Sequence, residues 1–168
     1  MTPIVRAAIA ADLPAIQSIY AHHVLHGTAT FELIPPPWAE MSRRFEQLAV
    51  GNHPYLVAEA DGRTVGFAYA GPYRERPAYR RTVENAIYLD PTRIGQGIGR
   101  QLLSALISEA TSRGFTQMVA VIGDSANQPS IRLHTAAGFK LVGTLTHVGY
   151  KFERWLDTVI MQRSLQDE

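Results

Sequence analysis

Two spacings of apolar residues alternate along this chain. Ile16, Ile19, Tyr20 and Val24 recur at intervals of three and four, which predicts a helix from about Asp12 to His26 with one apolar face. Asp12 stands where an N-cap belongs, and Pro14 fits the first turn. Ile4 to Ala7, ahead of that helix, reads as a short strand. The Pro35-Pro36-Pro37 break is followed by a second helical pattern from Trp38 to Val50. Tyr55–Ala60 and Thr64–Ala70 read as strands joined by Asp61-Gly62, a strong hairpin signal because both residues tolerate positive φ. Past the Gly71-Pro72 loop, Val83–Leu89 is a further strand. An amphipathic helix follows, with Ile98, Leu102, Ala105, Leu106 and Ala110 on its apolar face and Gly114 at its end. Phe115 to Ile122 is almost continuously apolar, as a strand covered on both faces would be. A helix from about Pro129 to Gly138 and strands Lys140–Thr146 and Thr158–Ser164 complete the order β-α-α-β-β-β-α-β-α-β-β.

That order predicts an α/β (α+β) protein with a mixed sheet flanked by helices. No repeat, low-complexity tract or linker interrupts it, so residues 1–168 are expected to form a single domain. The composition, 46% hydrophobic and 18% charged, is that of a globular domain with a substantial core. A net charge of +1 with no basic run argues against nucleic acid as a partner. The absence of cysteine excludes disulfides, thiolate metal sites and a cysteine nucleophile. His22, His23, His26, His53 and His147 follow no metal-ligand spacing, so no metal is expected. The N-terminus lacks the charged start of a signal peptide, and no apolar run reaches the roughly 18 residues of a membrane span. The expectation is a cytoplasmic protein with no membrane partner.

The chemistry concentrates between Thr82 and Arg100, TVENAIYLDPTRIGQGIGR. A strand running into a glycine turn (Gly95, Gly97, Gly99) at the start of a helix brings bare N–H groups and the positive end of the helix dipole to one point, which suits phosphate. The spacing G-x-G-x-G matches neither the dinucleotide fingerprint nor the nucleotide-triphosphate loop. The turn also falls mid-chain rather than in a first β-α-β unit, so a dinucleotide fold is excluded.

These features together resemble the Gcn5-related N-acetyltransferase superfamily, in which the corresponding turn cradles the pyrophosphate of acetyl-coenzyme A. A second superfamily signature, N-x-x-[AS]-x-x-[LF]-[YH]-x-x-x-G-F, is met by Asn127 to Phe139, NQPSIRLHTAAGF. Within the superfamily the chain is similar to the phosphinothricin and methionine sulfoximine/sulfone acetyltransferases through YAGPYRERPAYRRTVENAIYL, VAVIGDSANQPSIRLHTAAGF and GYKFERWLD. The resemblance runs from about Ile4 to Leu165. It implies a twisted, mostly antiparallel sheet flanked by helices and acetyl-coenzyme A as co-substrate. The acceptor it implies is the α-amine of a small amino-acid-like molecule, and the assembly a homodimer. One position departs from the superfamily's [QR]-x-x-G-x-[GA] turn: Ile94 stands where a Gln or Arg is usual, with Arg93 before it and Arg100 after the last glycine.

By that resemblance Glu84 is the catalytic carboxylate, acting directly or through water; the alternative is a structural pair with a neighbouring arginine. His134 occupies the place of a tyrosine that protonates the departing thiolate. A histidine there suits that task or a share of the base's work, and a packing role is the alternative. Tyr88, Leu89, Arg93, Gly95, Gln96, Gly97, Ile98, Gly99, Arg100, Asn127 and Ser130 are the expected cofactor contacts, with Asn127 equally readable as a turn residue. Arg74, Arg76, Arg80 and Arg81 crowd one short loop, and arginine suits two-pronged recognition of a carboxylate. Arg74 and Arg80, with Arg76, are therefore expected to hold the substrate's carboxylate and polar head, unless the loop is simply solvated. Phe31 corresponds to a wall of the substrate pocket, although as sequence alone it reads as core. Lys151, Trp155 and Asp157 fit substrate binding and a Trp buried at a dimer contact equally well. Two other readings stay open: the same chemistry on a polyamine or protein N-terminus, and a silent acyl-coenzyme A-binding module.

Overall fold

The computed structural model describes residues 2–166. One seven-stranded sheet has the order β1-β2-β3-β4-β5-β7-β6. β1 (Ile4–Ala7), β2 (Tyr55–Ala60), β3 (Arg63–Pro72) and β4 (Thr82–Leu89) are successive antiparallel neighbours. β4 runs parallel to β5 (Gln117–Gly123), and β7 (Arg154–Ser164) and the edge strand β6 (Lys140–Lys151) continue antiparallel.

Strand periodicity divides the core in two. Val57 and Phe67 pack with Ile16, Ile19 and Tyr20 of α1 (Leu13–His26) and Met41 of α2 (Trp38–Val50). Their neighbours Leu56, Ala58, Val65 and Ala68 point the other way, to Ile98, Leu102 and Leu106 of α3 (Ile98–Ser112). Ile131 and Leu133 of α4 (Gln128–Ala136) join that second cluster. Leu102 and Leu106 are fully buried, so truncating either to alanine costs about 2–5 kcal/mol.

The predicted helix faces and the Asp61-Gly62 hairpin are present, the turn closing between Ala60 and Arg63 with both of its residues at positive φ. Four details differ. Asp12 does not cap α1: its carboxylate accepts both Arg6 Nη atoms at 2.8 Å, the Ile9 amide and the Thr64 hydroxyl, so the charged partner takes it from the helix. β3 continues through Gly71-Pro72, which was expected as loop. β6 and β7 are much longer than predicted and meet in a two-residue turn at Phe152-Glu153. β5 is not covered throughout, since Val121 is 40% exposed.

That exposure has a structural cause. β4 and β5 pair only where Thr82–Glu84 meet Gln117–Val119. Beyond that point the strands part, and Asn85–Leu89 on one side and Val121–Gly123 on the other become walls of a cleft. Among the described residues no helix is long and apolar enough to cross a membrane.

Candidate active site

The cleft between β4 and β5, about 750 Å³, extends from Phe31 in the α1–α2 loop to the glycine turn at the start of α3. A second cavity of about 270 Å³ lies under α1 and α2, walled by Met41, Leu48, Tyr55 and Phe67. The two share Tyr20, Arg44, Tyr69 and Glu84. A ligand entering from the glycine turn and one held under the helices would therefore meet at Glu84.

Glu84 pairs in register with Gly71 of β3, and its side chain lies on the α1/α2 face with Tyr69 and Tyr88. None of the ion pairs among the described residues involves it, so the structural arginine pair is not formed. Burial pushes its pKa above the ordinary carboxylate value, and the charge of Arg74 offsets part of that rise. A carboxylate that is half-buried and free of partners has the character of a general base.

Asn85, next along β4, faces the other side and meets His134. The His134 ring is 4% exposed and stands edge-on to Phe139. Its Nδ1 lies 2.7 Å from the Ser130 carbonyl oxygen. A carbonyl only accepts, so Nδ1 carries the hydrogen and Nε2 is left with a lone pair. Burial lowers the His134 pKa, against the upward pull of the Ser130 carbonyl, so the ring is neutral at neutral pH. Glu84 and His134 thus flank the opening from opposite faces of the sheet. A neutral ring takes a proton before it gives one, which bears on both roles expected of His134, thiolate acid and partner in the base's work.

At the glycine turn, Gly95 and Gly97 adopt φ of +81° and +80°, a region that L side chains resist. A β-carbon at either would touch nothing in the protein, so conformation rather than crowding requires glycine there. Gly99 has ordinary helical φ and lies against Leu133 and Leu89. Gly95, Gly97, Gly99, Arg100 and Ile94 line the cleft. The first-turn amides of α3, Ile98 to Arg100, have no intrahelical acceptor and stay free for an anion. Ile98 can offer only main chain, because its side chain is buried in the core. Gln96 is exposed beside the turn, and Arg93 is paired with Asp61 at 3.2 Å. Tyr88, Leu89, Asn127 and Ser130 line the cleft as well. Asn127 is also the cap of α4, its Oδ1 accepting the Ser130 amide. The Leu89 carbonyl is held from behind by Nε2–H of His23 at 2.7 Å.

Phe31 lines the cleft by filling a slot between strand ends. A β-carbon on Gly149 would lie 2.3 Å from its ring, and one on Gly123 2.4 Å from the Thr28 carbonyl oxygen. Lys151 is buried and donates to the Thr30 carbonyl, tying the same loop down. Asp157 accepts the His147 amide and the Ser125 hydroxyl. Trp155, by contrast, is 62% exposed in the single chain and lies against Tyr150.

The arginine loop is not part of either cavity. Arg74 and Arg76 line a separate surface hollow with Tyr73, Glu75 and Tyr79, and Arg80 lines another with Arg81 and Arg113. Arg44 lines both cavities beside Glu84, and the sequence reading missed it. Its guanidinium donates to both oxygens of Glu32, at 3.0 and 2.7 Å, and to Glu40 at 2.9 Å. Tyr20 also donates to Glu32. Residues of α1, its following loop and α2 meet in this network; only its Glu40–Arg44 link follows a local i,i+4 spacing, and the ties to Glu32 and Tyr20 do not. Among the described residues no three His, Cys, Asp or Glu side chains are grouped as metal ligands.

A sheet parted between two parallel strands, with a phosphate-type turn on one side and a half-buried carboxylate at the opening, defines an acyl-coenzyme A-dependent N-acyltransferase fold. The chain belongs to the acetyltransferase (GNAT) family, whose model matches residues 20–139. It is 52% identical to a phosphinothricin N-acetyltransferase of Alcaligenes faecalis over 92% of this chain and 78% of that one. To an L-methionine sulfoximine/L-methionine sulfone acetyltransferase of Pseudomonas aeruginosa it is 40% identical, over 98% and 96%. Among solved structures it superimposes on a phosphinothricin acetyltransferase from Sinorhizobium meliloti, in complex with acetyl-coenzyme A, with a TM-score of 0.94. That match has 48% identity and covers 98% of this chain and 89% of the other.

Proposed function

We propose that this chain transfers acetyl from acetyl-coenzyme A to the α-amine of a small amino-acid-like substrate of the phosphinothricin or methionine sulfoximine/sulfone type. The observation that carries this reading is Glu84, a partner-free carboxylate at the meeting point of the coenzyme cleft and the smaller cavity. The pyrophosphate is held by the amides of Gln96 to Arg100, and the pantetheine arm lies along Tyr88 and Leu89 as an added strand. The amine enters from the smaller cavity past Tyr69, which both cavities share, and meets the Phe31 wall in the cleft.

Two protons move. The substrate ammonium, with a pKa near 8, gives one to Glu84, directly or through water, and it leaves to solvent. The neutral amine attacks the thioester carbonyl, forming the C–N bond. The second proton passes from the nitrogen of the tetrahedral adduct to Nε2 of neutral His134 and from there to the departing sulfur as the C–S bond breaks. Without a cysteine the transfer is direct, within a ternary complex. Of the loop arginines, Arg74 acts on the site through its charge, which Glu84 feels; Arg76 and Arg80 line hollows apart from both cavities.

We further propose that residues 1–168 work as a single domain, since one sheet runs from Ile4 to Ser164. They assemble as a homodimer through the apolar edge strand β6. Use of acetyl-coenzyme A, an intracellular metabolite, supports a cytoplasmic location.

The test is thiol release from acetyl-coenzyme A with L-methionine sulfoximine, L-phosphinothricin, spermidine and a peptide N-terminus. Saturable turnover on the first two, lost in Glu84→Gln, is expected. Turnover on spermidine or the peptide alone would replace the substrate assignment. Coenzyme binding with no turnover on any amine would overturn it.

A further inference from the structure

Asn85 has no role in the reading so far, yet it is the polar side chain that faces the reactive nitrogen of His134. Both ends of its amide lie near Nε2: Nδ2 at 3.2 Å and Oδ1 at 3.3 Å. The amide is 9% exposed and the ring 4%, so water is poorly placed to take over from either group. An amide offers a donor and an acceptor side by side, whereas a carboxylate at this spot would accept only and so favour the charged ring.

We propose that Asn85 is a positioning residue that holds His134 in both of its protonation states, so that Nε2 can take a proton and pass it on without the ring moving. When the ring is neutral, Nδ2–H donates to the Nε2 lone pair. When Nε2 takes the adduct's proton, the Nδ2–H bond to it is given up, and the new N–H is shared between Oδ1 and the departing sulfur, which receives it. Nδ1–H stays on the Ser130 carbonyl throughout, so the ring has one axis of exchange. A buried imidazolium with no acceptor at Nε2 would be strongly disfavoured, and a neutral ring with no donor there would leave its lone pair unsatisfied. The amide answers both. β4 thereby does two tasks with consecutive residues: Glu84 faces the amine side of the sheet and Asn85 the sulfur side.

The inference rests on the proposed relay through His134, and its setting keeps the test clean. The ring is faced by Asn85 from β4, by Ser130 from its own helix and by Phe139 beyond it. No charged side chain contributes to its shift; burial and the Ser130 carbonyl are its causes.

The experiment is NMR titration of the His134 ring in the free protein, with ¹⁵N-labelled histidine, for wild type, Asn85→Asp and Asn85→Leu. It is paired with pH profiles of kcat and with KM for acetyl-coenzyme A. In Asn85→Asp the carboxylate accepts and cannot donate, so the His134 pKa is expected to rise by at least about one unit, and the pH profile of kcat to move with it. In Asn85→Leu, kcat is expected to fall about tenfold or more with KM for acetyl-coenzyme A unchanged. An unchanged His134 titration in Asn85→Asp overturns the inference, as does wild-type kcat in Asn85→Leu. Should the leucine variant fail to fold, the near-isosteric aspartate variant decides alone. The titration needs no substrate, so absence of turnover in wild type would sink the acetyl-transfer reading while leaving the Asn85–His134 coupling measurable.

Discussion

Glu84 is costly to keep ionised where it stands, and that cost can be measured. Its pKa is raised in the folded protein by burial, above a value near 4.3 in the unfolded chain. A carboxyl group shifted in that direction leaves stability intact below the unfolded pKa and removes it as pH rises through the folded pKa. Glu84→Gln is therefore expected to melt higher than wild type at pH 8, with the gap closing toward pH 4, where wild type carries the proton already. The same substitution lowers kcat/KM by about 10²–10⁴-fold, the usual worth of a positioned acid–base group. Thermal melts at both pH values beside steady-state rates check this, and an equal melting shift at pH 4 and pH 8 would refute it. Glu84 was singled out because the resemblance places a carboxylate in the strand before the glycine turn. Asn85 and Arg44 were not, because their meaning comes from partners in distant elements, His134 in α4 and Glu32 in the α1–α2 loop.

At the level of elements, what the sequence disclosed depended on whether turns used turn residues. Asp61-Gly62 was readable because its chemistry matches its backbone. Phe152 and Glu153 adopt φ of 52° and 59° with no such signal, so the longest hairpin of the sheet was cut short in the reading. Likewise Asp12 has the chemistry of a cap, but Arg6 of β1, which no helix-capping rule takes into account, claims it. Because that pairing lowers the Asp12 pKa, its stabilisation is present above about pH 4 and is lost as pH falls through the folded value. Asp12→Asn should destabilise the protein by about 1–3 kcal/mol at pH 7 and by less near pH 3, read from urea melts. The glycines separate in the same way. Gly97→Ala forces an L residue to φ of +80°, at about 1–2 kcal/mol, and should raise KM for acetyl-coenzyme A. Gly99→Ala meets only ordinary contacts within the protein and should leave the melting temperature nearly unchanged. Loss of stability in Gly99→Ala matching that of Gly97→Ala would show that crowding, not backbone conformation, governs the turn.

For the molecule as a whole, the unanswered surface is β6. An edge strand with open N–H and C=O groups invites pairing, and proteins usually blunt such edges with charge. Here Leu141, Val142, Leu145, Val148 and Tyr150 are instead all about half exposed or more, and Phe152 and Trp155 extend the apolar surface past the hairpin turn. A patch of this kind on a single chain calls for cover, and in the proposed homodimer a second copy of the same edge would supply it. The proposed homodimer predicts that sedimentation equilibrium gives twice the 18.6 kDa chain mass, and that Leu145→Lys with Val148→Lys gives the single mass. The same hairpin reaches the site, because Gly149 of β6 makes the slot for Phe31 and Lys151 holds Thr30. Separating the copies should therefore loosen the Phe31 wall and raise KM for the amine several-fold. KM for acetyl-coenzyme A should hold, since the glycine turn and the β4–β5 opening lie on other elements. A second route to the same wall, Gly149→Ala, drives a β-carbon into the Phe31 ring and should raise the amine KM without changing the mass, and Phe31→Leu in that background should restore part of it. A monomeric wild type, or a lysine variant that separates with both KM values unchanged, would detach the apolar edge from the chemistry.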